Sequence, residues 1–129
     1  MTQQCPFCDI PAESVVIANE IGVAILDRYP VTQGHTLVVP LRHVASLYEL
    51  NESEQAALWW LVAKVRQQLA DRYRPDGFNV GVNDGQAAGQ TIGHAHIHVI
   101  PRRNGDVPDP RGGVRWVVPD RAAYWEDSR

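Results

Sequence analysis

The sequence lacks the features that would place a chain in a membrane or in an oxidising compartment. No part of its 129 residues approaches the run of about 18 apolar residues that a transmembrane helix requires. Two cysteines are too few for a disulfide framework. Residues 1–5 have neither the basic nor the apolar region of a signal peptide. We therefore expect a cytoplasmic protein with no membrane partner.

Positive charge is also scarce. Twelve Lys and Arg face fifteen Asp and Glu, so the formal net charge is −3. A general electrostatic binder of nucleic acid needs a surplus of positive charge, so we expect no nucleic-acid partner. Lys64 is the only lysine, and the other eleven basic residues are arginines, which suit planar contacts with phosphate or carboxylate. The composition is thus compatible with a small anionic ligand.

What the sequence does contain is typical of one globular domain spanning residues 1–129, with 44% hydrophobic and 21% charged residues. Short β-type runs separated by turn residues predict strands at 14–18, 23–26, 35–39, 78–83 and 94–100. An N-terminal segment, 1–13, precedes them. The tail at 104–129 carries several prolines and glycines and is expected to be irregular. Antiparallel strands interrupted by one helix predict an α+β fold.

The long helix is predicted to begin near Asn51, because Asn51 with Glu54 three residues later is an N-terminal capping signal. Residues 75–77, Pro-Asp-Gly, end it. Apolar residues at helical spacing predict one buried stripe of Leu58, Leu61, Val62, Val65 and Leu69. Trp59 lies off this stripe and is either exposed or part of a second buried face. A short helical turn is predicted at 44–50.

Three of the five histidines alternate along the last predicted strand, at His94, His96 and His98. Residues two apart in a strand share a face and lie roughly 6.5–7 Å apart, so the three imidazoles should project from one side. The apolar residues between them should face the core, which leaves the histidine face toward solvent or ligand. The histidines could be ordinary packed side chains. They could also bind a metal, although the third is too distant along one straight strand to share a single ion.

The remaining interpretation, which we favour, is chemistry on a phosphate. Neutral imidazole is a nucleophile near pH 7. Its attack on phosphorus gives a phosphoramidate that water can cleave, with the flanking histidines on phosphate oxygens or the leaving group. The preceding loop, 85–91, is rich in glycine, so its backbone N–H groups and the Gln90 amide could approach an anion closely.

Residues 89–102 resemble the signature of the histidine triad superfamily of nucleotide hydrolases and transferases, in which three histidines alternate with apolar residues. The lead-in at 84–90 and the segment 34–40 also fit, and the resemblance runs from Cys5 to about Arg103. Within the superfamily the chain is most similar to the fragile-histidine-triad branch and its bacterial relatives resembling diadenosine-polyphosphate hydrolases. The resemblance implies a five-stranded antiparallel sheet with one long and one short helix, paired into a homodimer.

The resemblance also implies a role for each histidine of the triad. His96 would attack the α-phosphate and carry a nucleotidyl intermediate, while a backbone carbonyl holds its other ring nitrogen. His98 would donate a hydrogen bond to the phosphate or to the bridging oxygen. His94 completes the catalytic triad, and His35 would support it from beneath.

Three further residues match positions that bind substrate in the superfamily. Asp27 would accept hydrogen bonds from the ribose hydroxyls, which suits a carboxylate. Asn83 would reach the phosphate or the bridging oxygen, and Gln90 would contact the α-phosphate. Considered alone, Asp27 and Asn83 could equally be turn residues.

The N-terminal segment contains a CxxC motif, Cys5 to Cys8, which by itself could be redox-active, metal-binding or incidental. A thioredoxin-like role is disfavoured because the motif precedes every predicted strand. Two thiolates need two more ligands for a closed zinc site, and His43 and His94 are the candidates. Bacterial members that resemble this chain hold zinc at these four positions. We therefore expect a structural zinc ion and no organic cofactor, with Mg²⁺ entering only on a polyphosphate substrate.

The sequence leaves several functions open. A phosphoramidase acting on adenosine 5′-phosphoramidate or aminoacyl-adenylates would use the same chemistry on another leaving group. A nucleotide-binding protein with little turnover is a second possibility, and a redox module built on the CxxC is a third. Arg111 and Arg115 could meet additional phosphates, which favours long polyphosphate substrates. Trp59 and Trp60 are candidate contributors to the expected dimer interface.

Overall fold

A computed structural model describes residues 5–126; the outermost parts of the predicted N-terminal segment and tail, 1–4 and 127–129, lie outside the described residues. The elements run β1 Val15–Ala18, β2 Gly22–Leu26, β3 Thr36–Pro40, α1 Glu52–Tyr73, β4 Gly77–Val82, β5 Ile97–Arg102 and α2 Pro119–Ala122. The strands form one antiparallel sheet in the order β1-β2-β3-β5-β4. The predicted α+β class, with five strands, one long helix and one short helix, is confirmed.

Helix α1 begins where the capping signal predicts. The Asn51 side chain accepts a hydrogen bond from the Glu54 N–H at 2.8 Å, and the Glu54 carboxylate accepts one from the Asn51 N–H at 2.9 Å. The helix ends at Tyr73, and the left-handed backbone of the next residue, Arg74 (φ 48°), turns the chain away. All five residues of the predicted stripe are buried. Trp59 and Trp60 are each about half exposed in the single chain.

The sheet has two covered faces. Helix α1 packs on one of them, against buried residues that include Ala24, Val38, Ile97 and Val99. On the opposite face, Phe7 from the N-terminal segment packs against Val23, Ile25, Leu37 and Val39. Because side chains alternate along a strand, His98 lies between Ile97 and Val99 on the face that carries Phe7.

Strand β5 differs from its predicted range of 94–100. It begins at Ile97, where its pairing with both β3 and β4 begins. The backbone before it is tied elsewhere, since the Ala95 N–H donates to the Val44 carbonyl at 2.8 Å. Pro101 was expected to end the strand but is paired within it, opposite Phe78. Proline is tolerated there because β3 no longer runs alongside.

The remaining segments form short turns. The helical turn predicted at 44–50 is a single 3-10 turn, Leu47–Glu49, capped by Ser46. The tail is more ordered than predicted, with 3-10 turns at Gly113–Val117 and Tyr124–Glu126 around α2, where Ala122 is buried. Within residues 5–126, no helix combines the length and the apolarity needed to cross a membrane.

Candidate active site

A cavity of about 730 Å³ lies on the sheet face opposite α1. Its apolar lining includes Phe7, Ile10, Ile25, Leu37 and Ile92, and its polar lining includes Asp27, His35, Asn83, His96 and His98. A concave, mostly apolar site with a few convergent polar groups is typical of a small-molecule site. The structure thus brings four of the predicted histidine and carboxylate residues to one cavity.

His96 is held in one tautomer. Its Nδ1 lies 2.8 Å from the His94 carbonyl oxygen. A carbonyl only accepts hydrogen bonds, so Nδ1 carries the proton and Nε2 keeps its lone pair. The Phe7 ring packs against the imidazole, with ring centroids 5.0 Å apart. The local backbone therefore places the lone pair of the neutral His96 ring on Nε2, in a residue that lines the cavity.

His98 is held in the opposite tautomer by a chain of two hydrogen bonds. The Val31 N–H donates to His35 Nδ1 at 3.1 Å, so the His35 proton is on Nε2. His35 Nε2–H then donates to His98 Nδ1 at 2.9 Å, which leaves the His98 proton on Nε2. Burial, together with the neighbouring His96 and His35, lowers the pKa of His98 to about 4. His98 is therefore a neutral hydrogen-bond donor near neutral pH.

Asp27 caps a turn and also lines the cavity, and its contact with ribose hydroxyls stays a prediction. One carboxylate oxygen accepts the Tyr29 N–H at 2.8 Å and caps the turn after β2. The other lies 3.4 Å from His35 Nε2, and the residue lines the cavity. Asn83, directly after β4, is exposed and also lines the cavity. A polar ligand in the cavity can reach both side chains.

The Gln90 side chain is hydrogen-bonded to the backbone around it. Its Oε1 accepts the Gly85 N–H at 2.8 Å, and its Nε2 donates to the carbonyls of Ala45 at 2.8 Å and Ile92 at 3.0 Å. The amide holds the loop before β5 in place, and Thr91 beside it lines the cavity instead. A contact between Gln90 and a phosphate stays a prediction, and it would require one of these hydrogen bonds to be exchanged.

The side chains of the two tail arginines make their contacts within the tail. Arg111 pairs with Asp109 at 2.9 Å and stacks over Trp125, 4.4 Å from the ring centroid. Arg115 donates to the Ala122 carbonyl at 3.1 Å. Neither residue lines the cavity. Within the described chain, the expected arginine contacts with extra phosphates therefore have no structural support.

A second cluster of potential ligands adjoins the cavity. His94 Nδ1 lies 3.4 Å from Cys5 Sγ, 3.6 Å from Cys8 Sγ and 3.1 Å from His43 Nδ1. Cys8 Sγ is also 3.1 Å from His43 Nδ1, and both cysteines are free thiols. His94 is fully buried, so it does not share the ligand-facing position predicted for the triad. His94 and His98 belong to different clusters, which rules out one ion bound by all three histidines.

The donor set fits a tetrahedral zinc ion. Ordinary Zn–N and Zn–S lengths place two nitrogens about 3.4 Å apart and a nitrogen and sulfur about 3.6 Å apart. The four measured distances, from 3.1 to 3.6 Å, agree with this to a few tenths of an ångström. His94 Nε2–H donates to the Pro40 carbonyl at 2.8 Å, which leaves Nδ1 as the ligating atom.

Sequence reasoning missed Phe7 as a residue of the cavity. Its ring packs on His96, and its centroid lies 5.8 Å from that of His94. The available signal was its position inside the CxxC motif, between two predicted metal ligands. An apolar residue there has no polar role, and only the tertiary fold shows which surface it covers.

Comparison with known proteins identifies the family of this chain. A model of the HIT domain family matches residues 10–105, most of the chain and all five strands. The chain belongs to the HIT family. The match includes the loop and strand that carry the three alternating histidines, while the CxxC motif lies outside it.

Two curated relatives of this HIT protein have named activities. It is 40% identical over 107 residues to an AP-4-A phosphorylase of Mycobacterium tuberculosis, covering 78% of this chain and 55% of that protein. It is 36% identical over 107 residues to a bis(5′-nucleosyl)-tetraphosphatase (asymmetrical) of Schizosaccharomyces pombe, covering 82% and 59%. The chain thus spans little more than half the length of each.

A solved structure of similar length matches the HIT protein almost from end to end. It is a Zn-bound histidine triad family protein from Mycobacterium smegmatis, with a TM-score of 0.71 and 33% identity over 97% of both chains. The zinc belongs to that protein, and its presence in a relative of this length agrees with the donor set of the Cys5/Cys8/His43/His94 cluster.

Proposed function

We propose that this HIT protein is a nucleotide hydrolase or nucleotidyl transferase that cleaves at the α-phosphate of adenine dinucleotides such as diadenosine polyphosphates. The observation that carries the proposal is the tautomer of His96. The His94 carbonyl fixes its proton on Nδ1, so Nε2 is free to attack. The named activities of the two curated relatives support this substrate class.

The reaction proceeds in two displacements. His96 Nε2 attacks the α-phosphorus, an N–P bond forms, and the P–O bond to the remaining phosphates breaks with its electron pair leaving on the bridging oxygen. In the second step an acceptor oxygen attacks phosphorus and the N–P electron pair returns to Nε2. Water as acceptor gives the mononucleotide, and phosphate as acceptor gives the nucleoside diphosphate. The proton of the acceptor passes to solvent.

His98 acts on charge that develops in the transition state. Its Nε2–H is a fixed donor, and it is neutral because its pKa is lowered to about 4. It donates to a phosphate oxygen or to the departing bridging oxygen, and the hydrogen bond from His35 fixes its orientation before the reaction. Asp27 accepts hydrogen bonds from the ribose hydroxyls, and Asn83 reaches the phosphates. His35 is buried and acts as a positioning residue for His98 through their hydrogen bond.

We further propose that Cys5, Cys8, His43 and His94 hold a structural zinc ion. Bound there, the ion would supply a rigid tetrahedral cross-link and no chemistry on the substrate. The buried His94 would join this cross-link to the backbone carbonyl that sets the tautomer of His96.

The test is a substrate panel with the nucleophile removed. Diadenosine tri- and tetraphosphate, adenosine phosphoramidate, an ADP-sugar and adenylyl sulfate are each incubated with and without phosphate, and the products are identified. His96→Ala should abolish turnover while AMP affinity stays within about tenfold, or about 1.4 kcal/mol. Lys64→Ala, on exposed α1 surface, is the control and should keep wild-type rates.

The outcomes separate the candidate functions. Preferential cleavage of the phosphoramidate would assign a phosphoramidase, and nucleotide binding without turnover of any substrate would assign a binding protein. Turnover retained in His96→Ala would contradict the covalent scheme itself.

The homodimer implied by the resemblance remains part of the proposal. Trp59 and Trp60 are both about half exposed on α1, which is more aromatic surface than one helix usually leaves to solvent. Sedimentation should show a dimer for the wild type and a shift toward monomer for Trp59→Ser/Trp60→Ser. A wild-type monomer would contradict this part of the proposal.

A further inference from the structure

Residues 5–11 of the N-terminal segment contact two sites at once. Its cysteines belong to the four-residue ligand cluster, and four of its other residues, Pro6, Phe7, Ile10 and Pro11, line the cavity. Phe7 therefore lies on the cavity side of a loop whose two ends, Cys5 and Cys8, lie beside His94. One short loop forms part of the wall of both sites.

The segment has few other attachments. Among residues 5–14, its backbone hydrogen bonds are local: Cys8 N–H donates to the Cys5 carbonyl, Ser14 N–H to the Pro11 carbonyl and Val15 N–H to the Ala12 carbonyl. Strand pairing begins only at Val15. Its position depends on the burial of Phe7, which is 9% exposed, on the packing of Ile10 against the same cluster, and on the contacts of its two thiols.

His94, by contrast, is anchored independently of the segment. Its ring donates to the Pro40 carbonyl at 2.8 Å, and the next residue, Ala95, donates its N–H to the Val44 carbonyl at 2.8 Å. The carbonyl that sets the tautomer of His96 is therefore held by the contacts with Pro40 and Val44, which lie outside the N-terminal segment. Removing a metal from the cluster would free the N-terminal segment without disturbing the proton on His96.

The geometry points to thermodynamic coupling, through Phe7, between metal binding at the Cys5/Cys8/His43/His94 cluster and nucleotide binding in the cavity. The metal holds Phe7 in place as a wall of the cavity, so the metal-loaded protein binds nucleotide more tightly. Coupling is reciprocal, so bound nucleotide must raise metal affinity by the same factor. Coupling factors between two sites typically lie between about 5- and 150-fold, and we expect one in this range. This inference rests on the proposed function and on the proposed metal site.

The experiment measures both sides of the linkage with the full chain. AMP binding is measured by calorimetry for protein loaded with one equivalent of Zn²⁺ and for protein stripped with a chelator. Zn²⁺ affinity is measured by competition with a chromophoric chelator, with and without saturating AMP. We expect both ratios to be equal and to lie between about 5 and 150. In the turnover assay, removal of the metal should raise KM and leave kcat nearly unchanged.

Two variants test the part played by Phe7. In Phe7→Ala the AMP affinity should be low whether or not Zn²⁺ is bound, so the ratio falls to about one. Leu26→Ala is the matched control, since Leu26 lines the same cavity and belongs neither to the N-terminal segment nor to the apolar cluster around Phe7. It should weaken AMP binding equally in both metal states and keep the wild-type ratio. Near-UV circular dichroism shows whether each variant is folded. The coupling itself is measured on the wild type, so that test does not depend on any variant folding.

The outcomes are distinct. Equal AMP affinity of the loaded and stripped wild type would overturn the coupling alone. Absence of Zn²⁺ binding would overturn both the coupling and the proposed metal site, while the proposed nucleotide chemistry would stand. A wild-type ratio preserved in Phe7→Ala would overturn the role of Phe7. Failure of AMP to bind the Zn²⁺-loaded protein would contradict the proposed function itself.

Discussion

Replacing His35 with leucine tests how the fold prepares His98 as a donor. The change removes the N–H that donates to His98 Nδ1 at 2.9 Å and the acceptor of the Val31 N–H at 3.1 Å. The His98 ring can then move its proton to Nδ1, which leaves no donor on the cavity side. A buried group left without its hydrogen-bond partner costs about 1–3 kcal/mol. If that cost falls on the transition state, kcat/KM drops by about 5- to 150-fold.

His35→Gln is the matched variant, because its longer side chain can place an amide N–H near the position of Nε2. It should recover part of the activity that His35→Leu loses. The assay is kcat/KM on diadenosine tetraphosphate, combined with ¹⁵N NMR of the His98 ring, which reports its tautomer directly. A thermal unfolding curve for each variant ensures that rates are measured on folded protein.

The reasoning would be refuted if His35→Leu kept kcat/KM within twofold of the wild type while the His98 proton stayed on Nε2. That result would show that the ring is oriented by packing alone, and His35 would then be a buried side chain with no positioning role.

Further predictions concern pH and stability. Because His98 is neutral above about pH 4, His98→Gln should lower kcat/KM without moving the acid limb of the pH profile, and a displaced limb would contradict the neutral donor. The unfolded chain takes up a proton at His98 near pH 6.5, whereas the folded chain does so only near pH 4. The free energy of unfolding of the wild type therefore falls as the pH is lowered from about 6.5 to about 4. His98→Gln should make this fall smaller in urea titrations. Gly22→Ala should lower the free energy of unfolding by about 1–3 kcal/mol, since its Cβ would lie 2.5 Å from Leu58 Cδ2; an unchanged urea midpoint would show that the helix can shift. Asn51→Ala should cost about 1 kcal/mol of stability through the lost N-cap, with activity unaffected, and a larger loss would mean that the cap also supports the site.

Much of the fold follows from local sequence signals. The Asn51 capping signal and the helical stripe ending at Leu69 place α1, because capping and amphipathic spacing are local properties. Strand ends were less predictable because pairing partners decide them. His94 and Ala95 look like strand residues, but their backbone bonds outside the sheet, and Pro101 is tolerated where one neighbouring strand has ended.

In the candidate site, too, local features were predictable from the sequence and contacts between distant residues were not. Alternation identified the histidines, and the resemblance implied the carbonyl that holds His96. The tautomer of His98 was not predictable, because it depends on His35 and Val31, which are distant from it in sequence. The hydrogen bond from Gln90 to the Ala45 carbonyl could not be predicted from the loop sequence, because the two residues are 45 positions apart. Phe7 escaped notice because its contact with His96 spans most of the chain.

The covalent intermediate is the most direct test of the central claim. The protein is mixed with diadenosine tetraphosphate for a single turnover and quenched in alkaline denaturant, because acid hydrolyses the P–N bond of a phosphoramidate. Intact-mass and peptide mass spectrometry then locate any added nucleotide. The account predicts one adenylyl group on His96 in the wild type and none in His96→Ala. Cleavage of the substrate with no nucleotide mass on any histidine at any time point would contradict it.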